Sequence, residues 1–92
     1  MINYILDKNI TITGNLIVKG SIINIMTKKD YDNYDKTNLK SITELVGNND
    51  IYDDNLTIEN NLICINFGDT IPNLIISGCT TTFDVITLDS KT

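Results

Sequence analysis

Ninety-two residues with no His, Arg, Ala, Gln or Trp, twelve acidic against seven basic side chains, and seventeen Ile beside thirteen Asn make a short chain of net charge −5. A chain of this size forms one domain that buries roughly 60 to 65% of its unfolded surface, and an apolar content of 41% excludes general disorder. With no Arg and a single adjacent Lys pair, Lys28 and Lys29, no cationic stripe exists to neutralise phosphates, so direct nucleic-acid binding and attraction to anionic membranes are both disfavoured.

Met1 to Asn9 has neither a basic region nor a sustained apolar stretch before Asp7. It does not read as a secretory signal, so the expected location is the cytoplasm, or a host cytoplasm for a viral chain. The longest apolar run, Leu62 to Ile65, is far shorter than the ~20 residues of a spanning helix. Abundant Ile, Asn, Lys and Tyr without Ala or Arg is what AT-rich coding produces, as in an AT-rich microbe, virus or mobile element.

Ile10-Thr-Ile-Thr13 alternates and is followed by Gly14-Asn15 and the apolar run Leu16-Ile17-Val18, the pattern of a β-hairpin whose turn residues accept positive φ. A shift of 46 residues aligns Asn9–Gly20 with Asn55–Asn66 at six of twelve positions. Leu56-Thr-Ile-Glu59, Asn60-Asn61 and Leu62–Ile65 then form a second, related hairpin. A third partial copy, Asn73–Gly78, matches Asn15–Gly20 at four of six positions. The chain is therefore one domain, 1–92, that divides into duplicated halves, 1–46 and 47–92.

Between the hairpins, Leu39, Ile42, Leu45 and Val46 fall at helical spacing before Gly47, which predicts one short helix near residues 36–46. Beyond residue 66, Gly68-Asp69 and Ile71-Pro72-Asn73 read as loop, then strands follow near Leu74–Ile76 and Thr82–Leu88. The expected fold class is mainly β (α+β): two related hairpins in an antiparallel sheet or small sandwich, with that helix on one face. The alternative joins the same runs as successive rungs of a short parallel β-solenoid with Asn at its corners.

Catalysis has few candidates. There is no His, and neither Cys64 nor Cys79 has a base or further metal ligand beside it, so both cysteines are expected to be reduced core residues. The run from Asn33 to Glu44 follows a calcium loop only in part, lacking the leading Asp and the central Gly. No cofactor and no metal are expected.

The most informative surface signal is Tyr set among acids: Asp30, Tyr31, Asp32, Tyr34 and Asp35, then Asp50, Tyr52, Asp53 and Asp54. Tyr supplies anchoring area and carboxylates steer a basic partner, so these nine residues are the candidate partner-binding set. A second signal is that Leu16-Ile17-Val18, Leu62–Ile65 and Leu74-Ile75-Ile76 are apolar on both faces, which asks for a second covering layer, supplied by a partner or by a homo-oligomer through Leu16, Leu62 or Leu74. The functional expectation is a non-enzymatic acidic protein-binding module, in concrete form a small phage or mobile-element inhibitor occupying a basic surface of a host nucleic-acid-binding or defence protein. The alternative is a structural, self-assembling β-repeat of a fibre, coat or scaffold.

Overall fold

Strand follows strand wherever Ile, Leu, Val and Thr cluster, but no two consecutive strands pair with each other. The computed structural model describes residues 1–89 and contains β1 (Asn3–Leu6), β2 (Ile10–Ile12), β3 (Leu16–Ile25), α1 (Lys28–Asn33), β4 (Leu39–Ser41), α2 (Thr43–Val46), β5 (Ile51–Tyr52), β6 (Leu56–Ile58), β7 (Leu62–Ile65), β8 (Leu74–Ile76) and β9 (Thr80–Leu88). These form a six-stranded sheet, β4-β1-β7-β3-β6 with β9 also on β3, and a three-stranded sheet, β5-β2-β8. Every pairing among the described residues is parallel. The expected antiparallel hairpins are therefore incorrect. Ile12 has Tyr52 and Ile76 as its neighbours, and the residues at 13–15 and 59–61 carry the chain round a corner to the next face instead of back along the same one.

The result is a stack of five coiled layers. From one end to the other they are β4, then β1, then β5-β6-β7, then β2-β3, then β8-β9. Read along the chain, the layers are visited in the order two, four, one, three, five. Successive rungs are never neighbours, so the alternative of a simple solenoid also fails on order. All seven pairings join a strand within residues 3–25 to one within residues 39–88.

The 46-residue repeat has a structural reason, though not a duplicated hairpin. Leu16 stacks on Leu56 and Ile22 on Leu62, a shift of 40, while Ile10 stacks on Leu74, a shift of 64. Each shift differs by six from a sequence offset, 46 against 40 and 58 against 64, because the underlying unit is a hexad: Asn9-Ile-Thr-Ile-Thr-Gly, Asn15-Leu-Ile-Val-Lys-Gly, Asn55-Leu-Thr-Ile-Glu-Asn, Asn73-Leu-Ile-Ile-Ser-Gly. Three residues make a strand and three make a corner, so a sequence match can slip by one whole face.

Corners are tied by the leading Asn. Asn55 Oδ1 accepts from the Asn15 amide at 2.8 Å, and Asn15 Oδ1 from the Cys79 amide at 2.9 Å. On a second column Asn3 Oδ1 accepts from the Asn61 amide at 3.3 Å and Asn61 Oδ1 from Ser21 at 2.8 Å. On a third, Asn9 serves Asn73 at 2.8 Å. The corners thus satisfy backbone donors that the sheets leave unpaired.

Inside the coil, Ile10, Ile12, Leu16, Val18, Leu56, Ile58 and Leu62 form the core with Leu6, and Ile42 and Val46 join it from the β4–α2 segment. A second, outer cluster of Ile23, Ile25 and Ile63 is covered by Tyr31, Tyr34, Leu39 and Phe67. That cover is why Leu62–Ile65 is apolar on both faces. Leu16 and Leu62 are fully enclosed by the chain itself, so the expected interface through them is incorrect.

The helix near residues 36–46 is also corrected. Leu39–Ser41 is a strand on β1, the Ile42 amide donates to the Ile5 carbonyl at 2.9 Å, and only Thr43–Val46 is helical. Its end at Gly47, with φ of 76°, matches the expected stop. The unexpected helix, α1, starts at Thr27, whose hydroxyl accepts from the Asp30 amide.

Candidate functional site

The nine acidic and aromatic residues fall into two groups on different parts of the coil. Asp30, Tyr31, Asp32, Tyr34 and Asp35 belong to α1 and its exit, packed over the outer cluster. Tyr31 lies 5.9 Å from Phe67, centroid to centroid, with the Lys36 ammonium 4.3 Å from its own ring centre. Lys36 also donates to the Tyr31 and Tyr34 carbonyls and so caps the helix end. Burial, then the neighbouring Asp35 charge, raises the Tyr34 pKa. These rings pack over the outer cluster with one side and remain partly exposed on the other.

The carboxylates of this group are used locally. Asp32 pairs with Lys28 at 2.9 Å, an exposed i,i+4 pair of small energetic weight. Asp35 accepts from Thr37, and those hydrogen bonds lower its pKa. Asp30 has one enclosed oxygen, Oδ2, without a hydrogen-bond partner among the described residues.

Asp50 immediately precedes β5, Tyr52 ends it, and Asp53 and Asp54 lie at the β5–β6 corner. The Asp53 carboxylate accepts from Thr13 Oγ at 2.8 Å and Asp54 Oδ1 from the Asn55 amide at 2.7 Å. Tyr52 packs on the inner core. Asp50, Asp53 and Asp54 are exposed, and between them Ile51 is 60% exposed. Parallel register places Ile51 beside Thr11 and Thr11 beside Ile75, itself 58% exposed. With neighbouring strands about 4.8 Å apart, the outer side of this sheet carries a column Ile51–Thr11–Ile75, with Asp50 before Ile51 along the chain and Asp53 and Asp54 after β5. Sequence reasoning missed this column, because Thr11 and Ile51 become neighbours only through the 40-residue stacking shift. The hexad spacing was the signal that could have revealed it.

Elsewhere, an open pocket of about 570 Å³ is bounded by Met1, Ile2, Tyr4, Leu45, Thr57, Glu59 and Asn60. Glu59 is its single ionisable acid, and its partner is Lys19 at 3.2 Å. Among the described residues no three His, Cys, Asp or Glu come together as metal ligands, and no helix is long and apolar enough to cross a membrane.

The cysteines are free and unlike each other: Cys64 is largely enclosed at the inner core, whereas Cys79 is exposed at a corner. The expectation of two core cysteines holds for the first alone. Burial pushes the Cys64 thiol up to about 11, so at pH 8 it is almost wholly the unreactive thiol. One cysteine should therefore react rapidly with a thiol reagent in the native protein and the second only on unfolding. Two fast equivalents, with Cys64 found labelled, would contradict this burial.

No protein-family model matches the chain, and no curated protein or solved structure matches it.

Proposed function

We propose that the protein is a non-enzymatic protein-binding module that docks on a basic partner through the outer side of the β5-β2-β8 sheet. One observation carries this reading: in the column Ile51–Thr11–Ile75 both Ile are exposed, and the exposed acids Asp50, Asp53 and Asp54 flank Ile51 along the chain. Apolar contact area rimmed by charge of one sign is the anatomy of a protein interface, and the acids select a cationic partner and speed its encounter. The basic surface of a nucleic-acid-binding protein has that character, so occupying it is the inhibitory role we assign, in the cytoplasm.

In this reading, Asp30, Asp32 and Asp35 contribute only to the long-range field, and Tyr31, Tyr34 and Tyr52 hold the scaffold. Affinity capture followed by kinetics on the captured basic protein tests it. Asp50→Asn, Asp53→Asn and Asp54→Asn together should slow association and flatten its salt dependence. Ile51→Ala should speed dissociation, a loss of about 1 to 3 kcal/mol for a buried anchor. Unchanged rates in both variants, with the fold intact, would remove this surface from consideration. Self-assembly draws on a different feature, the outer edge of β8 and β9.

A further inference from the structure

The two ends of the stack are not equivalent. At one end the bare edges belong to β4, β5 and β6, two or three residues each. At the other, among the described residues, β8 pairs only with β2, and β9, nine residues long, pairs only with β3. Its outer edge has little of the usual protection: between residues 70 and 88 the single charged side chain is Asp84, there is no Lys, and the pairing with β3 shifts register once, between Val18 and Ser21. Phe83, 81% exposed, with Val85 and Ile86, lies along it.

We propose that Asp84–Leu88 pairs antiparallel with the same segment of a second copy of this chain, around a two-fold axis at Ile86. Three observations select that occupant. The first is charge: a molecule of net charge −5 has cleared its longest edge of nearly all charge, which like-with-like contact requires and a basic partner would not. The second is the corner column. Asn55 serves Asn15 and Asn15 serves Cys79, but at the next step Cys79 stands where an Asn would offer its oxygen, so another parallel rung loses that tie and keeps only the one Asn73 offers on the third column. Antiparallel pairing needs only backbone groups.

The third is backbone direction. The Leu88 carbonyl accepts from the Met26 amide at 3.0 Å, so it faces β3. Strand alternation turns Ile86 the same way and turns Val85 and Thr87 outward. The Val85 amide meets only its neighbouring Asp84 carboxylate, at 2.8 Å. A two-fold at Ile86 sets Val85 opposite Thr87 of the second copy and the reverse, giving four backbone hydrogen bonds, two of which replace the Asp84 carboxylate on the Val85 amides. Ile86, in register with buried Ile23, then meets its own copy and extends the outer cluster. Asp84 falls opposite Leu88 and so avoids its own copy. The contact is isologous and closes at two chains.

Sedimentation equilibrium of the full chain over a wide concentration range tests this. The expected species is a reversible dimer, twice the 10.3 kDa chain mass. Thr87→Pro deletes an outward amide without touching the β3 pairing, and Thr87→Lys keeps the backbone while adding the charge that natural edges use. Each should weaken the dimer more than about tenfold with an unchanged circular dichroism spectrum. If Thr87→Pro does not fold, Thr87→Lys decides alone. A wild-type chain that stays monomeric at its solubility limit, a dimer indifferent to Thr87→Lys, or open-ended assemblies would each overturn the proposal.

Discussion

Divided between α1 and β4, at residue 34, the chain should yield two fragments with no stable sheet apiece, and mixing them one to one should restore the native circular dichroism spectrum. The reason is that every strand pairing crosses that cut: β1, β2 and β3 on one side find all their partners among β4 to β9 on the other. In the first fragment, β1 and β3 are held apart in the native fold by β7, which lies between them. Alone, these strands would leave their amides and carbonyls unpaired and the core side chains Ile10, Ile12, Leu16 and Val18 in water. Each such side chain forfeits about 1.5 to 3 kcal/mol of burial, against a total stability of only about 5 to 15 kcal/mol for a domain of this kind. A cooperatively melting sheet in residues 1–34 alone would contradict the interleaved order. The same topology makes folding slow. The nearest paired residues are 36 apart, Asn3 with Leu39, and the farthest 64, Ile10 with Leu74, so no local pairing precedes loop closure, and folding in milliseconds to seconds is expected.

Strand positions were legible in the sequence because they depend on local composition. β-Branched runs at Ile10–Ile12, Leu56–Ile58 and Leu62–Ile65 became β2, β6 and β7. Their partners were not legible. Alternation specifies which side chains share a face but not which strand lies alongside, and Gly or Asn at a corner suits both a reversal and a bend. The segment around Leu39 had helical spacing but became a strand because β1 offered an unpaired edge, a tertiary term that propensity does not contain. For the candidate site, charge placed Asp50, Asp53 and Asp54 correctly on the surface, since carboxylates stay solvated wherever the fold puts them. Tyr was harder to place. Tyr31 and Tyr34 were needed to cover Ile23, Ile25 and Ile63, and that need arises only once β3 and β7 lie side by side.

Gly20→Ala and Gly78→Ala should each destabilise the protein by about 1 to 3 kcal/mol or more, the range for forcing atoms into a close-packed site. A Cβ on Gly20 would lie 2.5 Å from Asn61 Oδ1 and 2.7 Å from the carbonyl carbon and oxygen of Asn60; one on Gly78 would meet Asn15 Oδ1 and the Gly14 carbonyl oxygen, the latter at 2.6 Å. Gly14 is in the same position over Asp54 and Asn55, with both backbone neighbours at 2.7 Å. None of the three has positive φ; among the described residues only Asn38, Gly47 and Gly68 do. These glycines are required by the approach of the neighbouring layer, whose Asn oxygen passes beneath them to reach the following amide. That distinction is measurable at one site. Gly14→Asn would be tolerated in a tight hairpin turn, where Asn accepts positive φ, but here it places a Cβ against backbone and should unfold as readily as Gly14→Ala. Adding Asn55→Gly removes the side-chain oxygen but not the backbone atoms, so the double variant recovers little. A thermal melt of Gly14→Asn equal to the wild type would mean the corner is open there, and the stacking of Gly14 on Asn55 would have to be given up.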